Sequence, residues 1–132
     1  MTQISTRFST TRLSNIGQIA MPVQDLARAV EFYRDRLGLE FLFQAPPGLA
    51  FFKCGTIRLL VEVPAEKEFQ HPGSPLYFTV DDIEAAYADL SARGVVFRGA
   101  PHLIARMPDH ELWMAFFDDG EGNTLALMHE KQ

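Results

Sequence analysis

Cysteine is nearly missing from this chain: Cys54 is the single copy in 132 residues. One thiol excludes an intramolecular disulfide and a cysteine-rich zinc site, and leaves the compartment undecided. Positive charge is also scarce. Twelve Lys and Arg stand against 17 Asp and Glu, a net charge of −5, and the basic residues form no run. A nucleic-acid or anionic-membrane surface wants clustered cations, so neither partner is expected. No stretch approaches the ~20 apolar residues of a membrane span. Residues 1–15 are rich in Ser and Thr, carry Arg7 and Arg12 and lack an apolar run, which does not read as a secretory signal. They are expected to be a disordered leader on a cytoplasmic protein, ahead of one domain over residues 16–130.

What the chain does have is apolar material, 47% of its residues, enough for a real core. Its densest stretch runs from Trp113 to Met128. There an aromatic run meets a Gly/Asp/Asn cluster, Asp118 to Asn123, and resumes as Thr124 to Met128. Two such runs around a turn signal predict a β-hairpin.

Taken in order, Ile16 to Val23 alternates as a strand does, with Ile19, Met21 and Val23 on one face. Asp25 stands at an N-cap position, and Leu26, Ala29, Val30, Tyr33 and Leu37 follow at helical spacing up to Gly38. Strands are predicted at Leu39 to Phe43, Leu49 to Lys53 and Ile57 to Val63. Residues 64–74 read as a linker. The plan then repeats: a strand to Val80, a helix capped by Asp82 and stopped by Gly94, a short strand at Val95 to Phe97, a loop holding His102 and His110, and the hairpin. An offset of 57 carries Val23 to Val80 and Asp25 to Asp82; Ala50-Phe51-Phe52 recurs as Ala115-Phe116-Phe117. The fold class is therefore α+β: two β-α-β-β-β modules, residues 16–63 and 75–130.

Period 2 divides each sheet. Ile19, Met21, Val23, Leu59, Val61, Phe78, Leu125 and Leu127 belong beneath the helices. Gln18, Ala20, Arg58, Leu60, Glu62, Tyr77, Thr79, Ala126 and Met128 take the other face, whose mixed character suits a small-molecule cavity. Arg58 and Glu62 lie four residues apart on one strand, about 13 Å, too far for a tight ion pair but able to bracket a ligand.

The stretches Ile19-Ala20-Met21-Pro22-Val23-Gln24-Asp25-Leu26, Glu31-Phe32-Tyr33, Leu37-Gly38-Leu39, Phe78-Thr79-Val80-Asp81-Asp82-Ile83 and Phe117-Asp118-Asp119-Gly120-Glu121-Gly122-Asn123 together resemble the vicinal-oxygen-chelate superfamily. That group holds glyoxalase I, bleomycin-resistance proteins and extradiol dioxygenases. The resemblance implies a half-open barrel, a homodimer, and up to four metal ligands from the first and last strand of each module. Carried over, those positions fall on Gln18, Glu62, Pro75 and Ala126. Pro75 and Ala126 have no donor side chain, whereas a transition-metal site normally wants three.

No cofactor is therefore expected, and the leading expectation is a binder of a small organic molecule. Its contacts would be Gln18, Arg58, Leu60, Tyr77, Trp113, His110 and Met128. The alternative is a metal-dependent lyase, isomerase or dioxygenase. In that case Glu62 is the base, Gln18 and Glu62 hold a divalent metal, and a loop His, His102 or His110, completes the site.

Overall fold

A computed structural model describes residues 10–132. Most of the leader thus lies outside the described residues; residues 10–15 are exposed and carry no regular secondary structure. The strands are β1 (Gln18–Pro22), β2 (Glu40–Ala45), β3 (Leu49–Cys54), β4 (Ile57–Glu62), β5 (Leu76–Thr79), β6 (His102–Arg106), β7 (Glu111–Asp118) and β8 (Thr124–Lys131). The helices are α1 (Leu26–Glu31) and α2 (Ile83–Ala92). They form two four-stranded sheets, ordered β1-β4-β3-β2 and β5-β8-β7-β6. In each sheet the first and last strand of the module run parallel and the rest antiparallel. The duplication read from the sequence is the topology of the chain.

Each helix starts where its cap predicts. Asp25 Oδ1 accepts from the Arg28 N–H at 3.1 Å, and Asp82 Oδ1 accepts from the Ala85 N–H at 3.0 Å. The first helix departs from the sequence reading. It is α-helical only to Glu31 and then widens into a π-helical turn, Phe32–Arg36, in which the Leu37 N–H reaches the Phe32 carbonyl. Phe32 and Tyr33 are both buried in this wider turn, continuing the buried side that Ala29 and Val30 begin.

The sixth strand also departs from expectation. The strand predicted at Val95–Phe97 makes only an isolated bridge from Phe97 to Phe117, and the true strand is His102–Arg106. Its alternation is hidden by a bulge between Leu103 and Ala105; β2 carries the matching bulge between Phe41 and Phe43. His102 accordingly lies on a strand, and Met107 to His110 form the turn of the β6–β7 hairpin, closed by the Met107 N–H on the His110 carbonyl.

One core serves both modules. Met21, Val61, Phe52 and Tyr33 of the first pack in one cluster with Ile83, Phe117 and Leu125 of the second, all fully buried. The β7–β8 turn fastens the modules together. The Tyr33 hydroxyl donates to Asp119 Oδ2 at 2.7 Å, and Asn123 Nδ2 donates to the same oxygen and to the Pro22 carbonyl. Glu121 Oε1 accepts from the Gln24 and Asp25 N–H groups, and its second oxygen accepts from Arg28 Nε. The Asp118-to-Asn123 motif is thus an inter-module clasp.

Burial by itself would raise the Glu121 carboxyl, but the Arg28 guanidinium and the two backbone N–H groups outweigh it and hold the group below the usual carboxylate range. A depressed folded-state value means stabilisation that is present above the unfolded value of about 4.3 and lost as pH falls through the folded one. Unfolding stability should therefore drop below about pH 4.3, and Glu121→Gln should flatten that acid limb while lowering stability at pH 7. Chemical denaturation at stepped pH measures both; an unchanged acid limb in the variant would remove Glu121 from the account.

Candidate functional site

The face of each sheet opposite the core is open. Pairing across β1–β4 brings Gln18 beside Arg58, Ala20 beside Leu60 and Pro22 beside Glu62. Across β5–β8, Tyr77 stands beside Ala126 and Thr79 beside Met128. Gln18, Ala20, Arg58, Tyr77 and Thr79 are exposed, Glu62 and Met128 are half-buried, and Leu60 and Ala126 are the buried centres of their faces.

In the first module Arg58 Nε donates to Gln18 Oε1 at 2.8 Å, and the guanidinium carbon lies 5.4 Å from the centre of the Phe51 ring. Phe43 stacks on Phe51, with centroids 4.6 Å apart and planes 27° from parallel. In the second module Phe116 is the matching ring. Tyr77 meets it edge-on at 6.2 Å and His102 lies 6.3 Å away. A cavity of about 270 Å³ opens here between Arg98, Gly99, His102 and Phe116. Arg98 is engaged by Asp118 and by Thr124 Oγ1.

Of the residues expected at the site, Gln18, Arg58, Leu60, Glu62, Tyr77 and Met128 share these open faces. Trp113 does not. It pairs with Leu103 and His129 and packs against the core, its indole N–H donating to Glu111 and Lys131 Nζ lying 4.2 Å from its ring centre. Period 2 from Phe116 and Met114 puts Trp113 on the helix side. His110 sits at the β6–β7 turn, bonded to Asp109 at 2.8 Å and 3.9 Å from Glu130, at the far rim. His129 is half-buried and receives the Ile83 N–H at the start of α2.

Phe43, Phe116 and Arg98 were not foreseen. Phe116 was legible as the partner of Phe51 in the repeated tripeptide. Phe43 was hidden by the bulge at Leu42, which breaks alternation.

A profile of the Glyoxalase/Bleomycin resistance protein/Dioxygenase superfamily matches residues 15–128. The chain belongs to this superfamily. A glyoxylase-like domain-containing protein of Didymella fabae is 30% identical over 129 residues, covering 85% of this chain and 91% of that protein. The crystal structure of a lactoylglutathione lyase from Agrobacterium tumefaciens is similar at TM-score 0.69 and 26% identity, covering 90% of this chain and 96% of that one. That of TnmS3, an antibiotic binding protein from Streptomyces sp. CB03234, is similar at TM-score 0.71 and 25% identity, covering 92% and 99%.

The strand registers revise one carried-over superfamily position. Ala126 pairs with Tyr77, two residues beyond Pro75; the equivalent partner in the first module, two residues beyond Gln18, is Ala20, and it pairs with Leu60. Phe116 facing Ala126 and Phe51 facing Leu60 give the same equivalence. Glu62 thus corresponds to Met128, one step further along the strand face. Glu62 and Gln18 stand at opposite ends of the β1–β4 pairing, about 13 Å apart. Among the described residues no three His, Cys, Asp or Glu side chains gather as a metal group, and no helix is long and apolar enough to cross a membrane.

Proposed function

We propose that this superfamily member binds a small organic molecule against its open sheet faces and makes no use of the superfamily's metal centre. The register carries the reading: the four equivalent inward positions are Gln18, Leu60, Pro75 and Ala126, and only Gln18 owns a donor atom, itself engaged by Arg58. One neutral amide does not fit a site that needs three ligands. What the faces do offer is aromatic and apolar: Phe43 and Phe51 on one, Tyr77 and Phe116 on the other, around Leu60 and Ala126. TnmS3, an antibiotic binding protein similar to this chain, agrees with this use of the fold.

Two exposed walls in one chain would be closed by a second copy, and a cytoplasmic homodimer is part of the proposal. The enzyme reading draws on the lactoylglutathione lyase likeness and on Glu62 as a base, with Arg58 to steady an oxyanion.

Thermal denaturation separates them. Flat aromatic compounds at about 100 times their Kd should add about 2.7 kcal/mol by mass action, and Ni, Zn, Fe and Mn should each shift Tm by less than about 1 °C. A clear rise with any metal that Glu62→Ala abolishes would overturn the binder.

A further inference from the structure

The two aromatic walls are alike in shape and unlike in charge, and the difference names a ligand class. In the second module the guanidinium near the ring, Arg98, is neutralised by Asp118. In the first, Arg58 has no such partner. Its Nε is held by the neutral Gln18 oxygen, its guanidinium carbon lies over the Phe51 ring, and among the described residues no carboxylate forms an ion pair with it. Its terminal NH₂ groups keep four N–H donors for a ligand.

Lys53 strengthens the case. It faces Arg58 directly across β3–β4, and both side chains are exposed. Like charges directly opposite one another in a sheet are unfavourable. Glu40 faces Lys53 from β2, yet no ion pair joins them. With Glu40 opposite Lys53 the corner still carries one net positive charge on a chain of net charge −5, which favours the approach of an anionic ligand. Beside this corner Phe51 stands between Phe43, stacked on it, and the Arg58 guanidinium, so the two rings offer apolar edges, with Leu60 and Ala20 leading away from them.

We infer that the ligand of the first-module wall is a planar aromatic acid, whose ring packs over the exposed edges of Phe43 and Phe51 toward Leu60 and whose carboxylate takes the free fork of Arg58 with Lys53 beside it. A guanidinium fork matches a carboxylate bidentately, and a charge-assisted pair outweighs a neutral one. The inference rests on the small-molecule cavity proposed above.

The test uses two probes of one shape, 2-naphthoate and 2-naphthalenemethanol, titrated calorimetrically into the full-length protein. Naphthoate should bind about tenfold tighter than the alcohol, the size of one charge-assisted hydrogen bond, and the margin should shrink with added salt. Arg58→Gln, an exposed change checked by its melting curve, should abolish the preference of naphthoate over the alcohol. Equal binding of both probes to the wild type, or a preference that survives both Arg58→Gln and Lys53→Gln, would overturn the inference and leave the cavity standing. Binding of neither probe would sink the cavity as well.

Discussion

Asp119→Asn is expected to cost about 4 kcal/mol and lower Tm by on the order of 15 °C. Asp119 is 2% exposed and accepts four hydrogen bonds. Oδ1 takes the N–H groups of Glu121 and Asn123, at 2.7 and 3.1 Å, and Oδ2 takes the Tyr33 hydroxyl and Asn123 Nδ2, each at 2.7 Å. An amide is almost the same size but turns one of these oxygens into a donor, which then faces the backbone N–H pair or the Asn123 amide N–H in a buried site. Either flip of the amide leaves one pair opposed. Burying unsatisfied polar groups is costly in a way that losing a single net hydrogen bond is not.

Tyr33→Phe is the milder comparison. It removes one donor and leaves Oδ2 with Asn123, so about 1 kcal/mol is expected. The Tyr33 hydroxyl is held neutral far above its ordinary range, first by burial and then by the Asp119 charge, so no alkaline titration of this bond is expected in the working range. Denaturant unfolding of both variants checks the contrast. A melt for Asp119→Asn within 2 °C of wild type would mean that the clasp does not tie the modules together.

The clasp also shows how much of the molecule could be read in advance. Asp118 to Asn123 is legible as a turn from composition alone, and it is one. That its polar residues reach back to Pro22, Gln24, Asp25 and Tyr33 is invisible locally, because those contacts span roughly a hundred residues and depend on how two modules dock. The duplication was legible because period 2, the Asp caps and the Gly stops each recur in order. Where the chain departs from a regular period the reading fails: the bulges at Leu42 and Ile104 shifted a strand and hid Phe43, and the π-turn hid the burial of Phe32. The site followed the same rule. Faces were assigned well along β1, β4, β5 and β8. Trp113 was misplaced because it was chosen for chemistry, not for its parity with Phe116. Glu62 was carried over as the counterpart of Ala126 from the superfamily resemblance, and only the cross-strand register shows that Leu60 holds that place.

Phe116 and Phe117 are adjacent, identical in type and opposite in duty. Phe117 is fully buried, with ring neighbours Phe97 at 5.1 Å and Phe32 at 6.4 Å from both modules. Phe117→Ala should cost about 4 kcal/mol, transfer plus the cavity left behind. Phe116 is half-buried on the open face, beside Tyr77 and His102. Its truncation leaves the core closed and should cost about 1 kcal/mol. Binding should respond in the reverse sense. Phe116→Ala removes a stacking surface worth about 1 kcal/mol, so flat aromatic probes should weaken roughly fivefold, whereas the fraction of Phe117→Ala protein that remains folded should bind them as wild type does. Calorimetric titration beside chemical unfolding reads both axes in one experiment. If the two substitutions changed stability equally and left aromatic binding alone, the open face would be mere surface and the division of labour between neighbouring rings would be wrong.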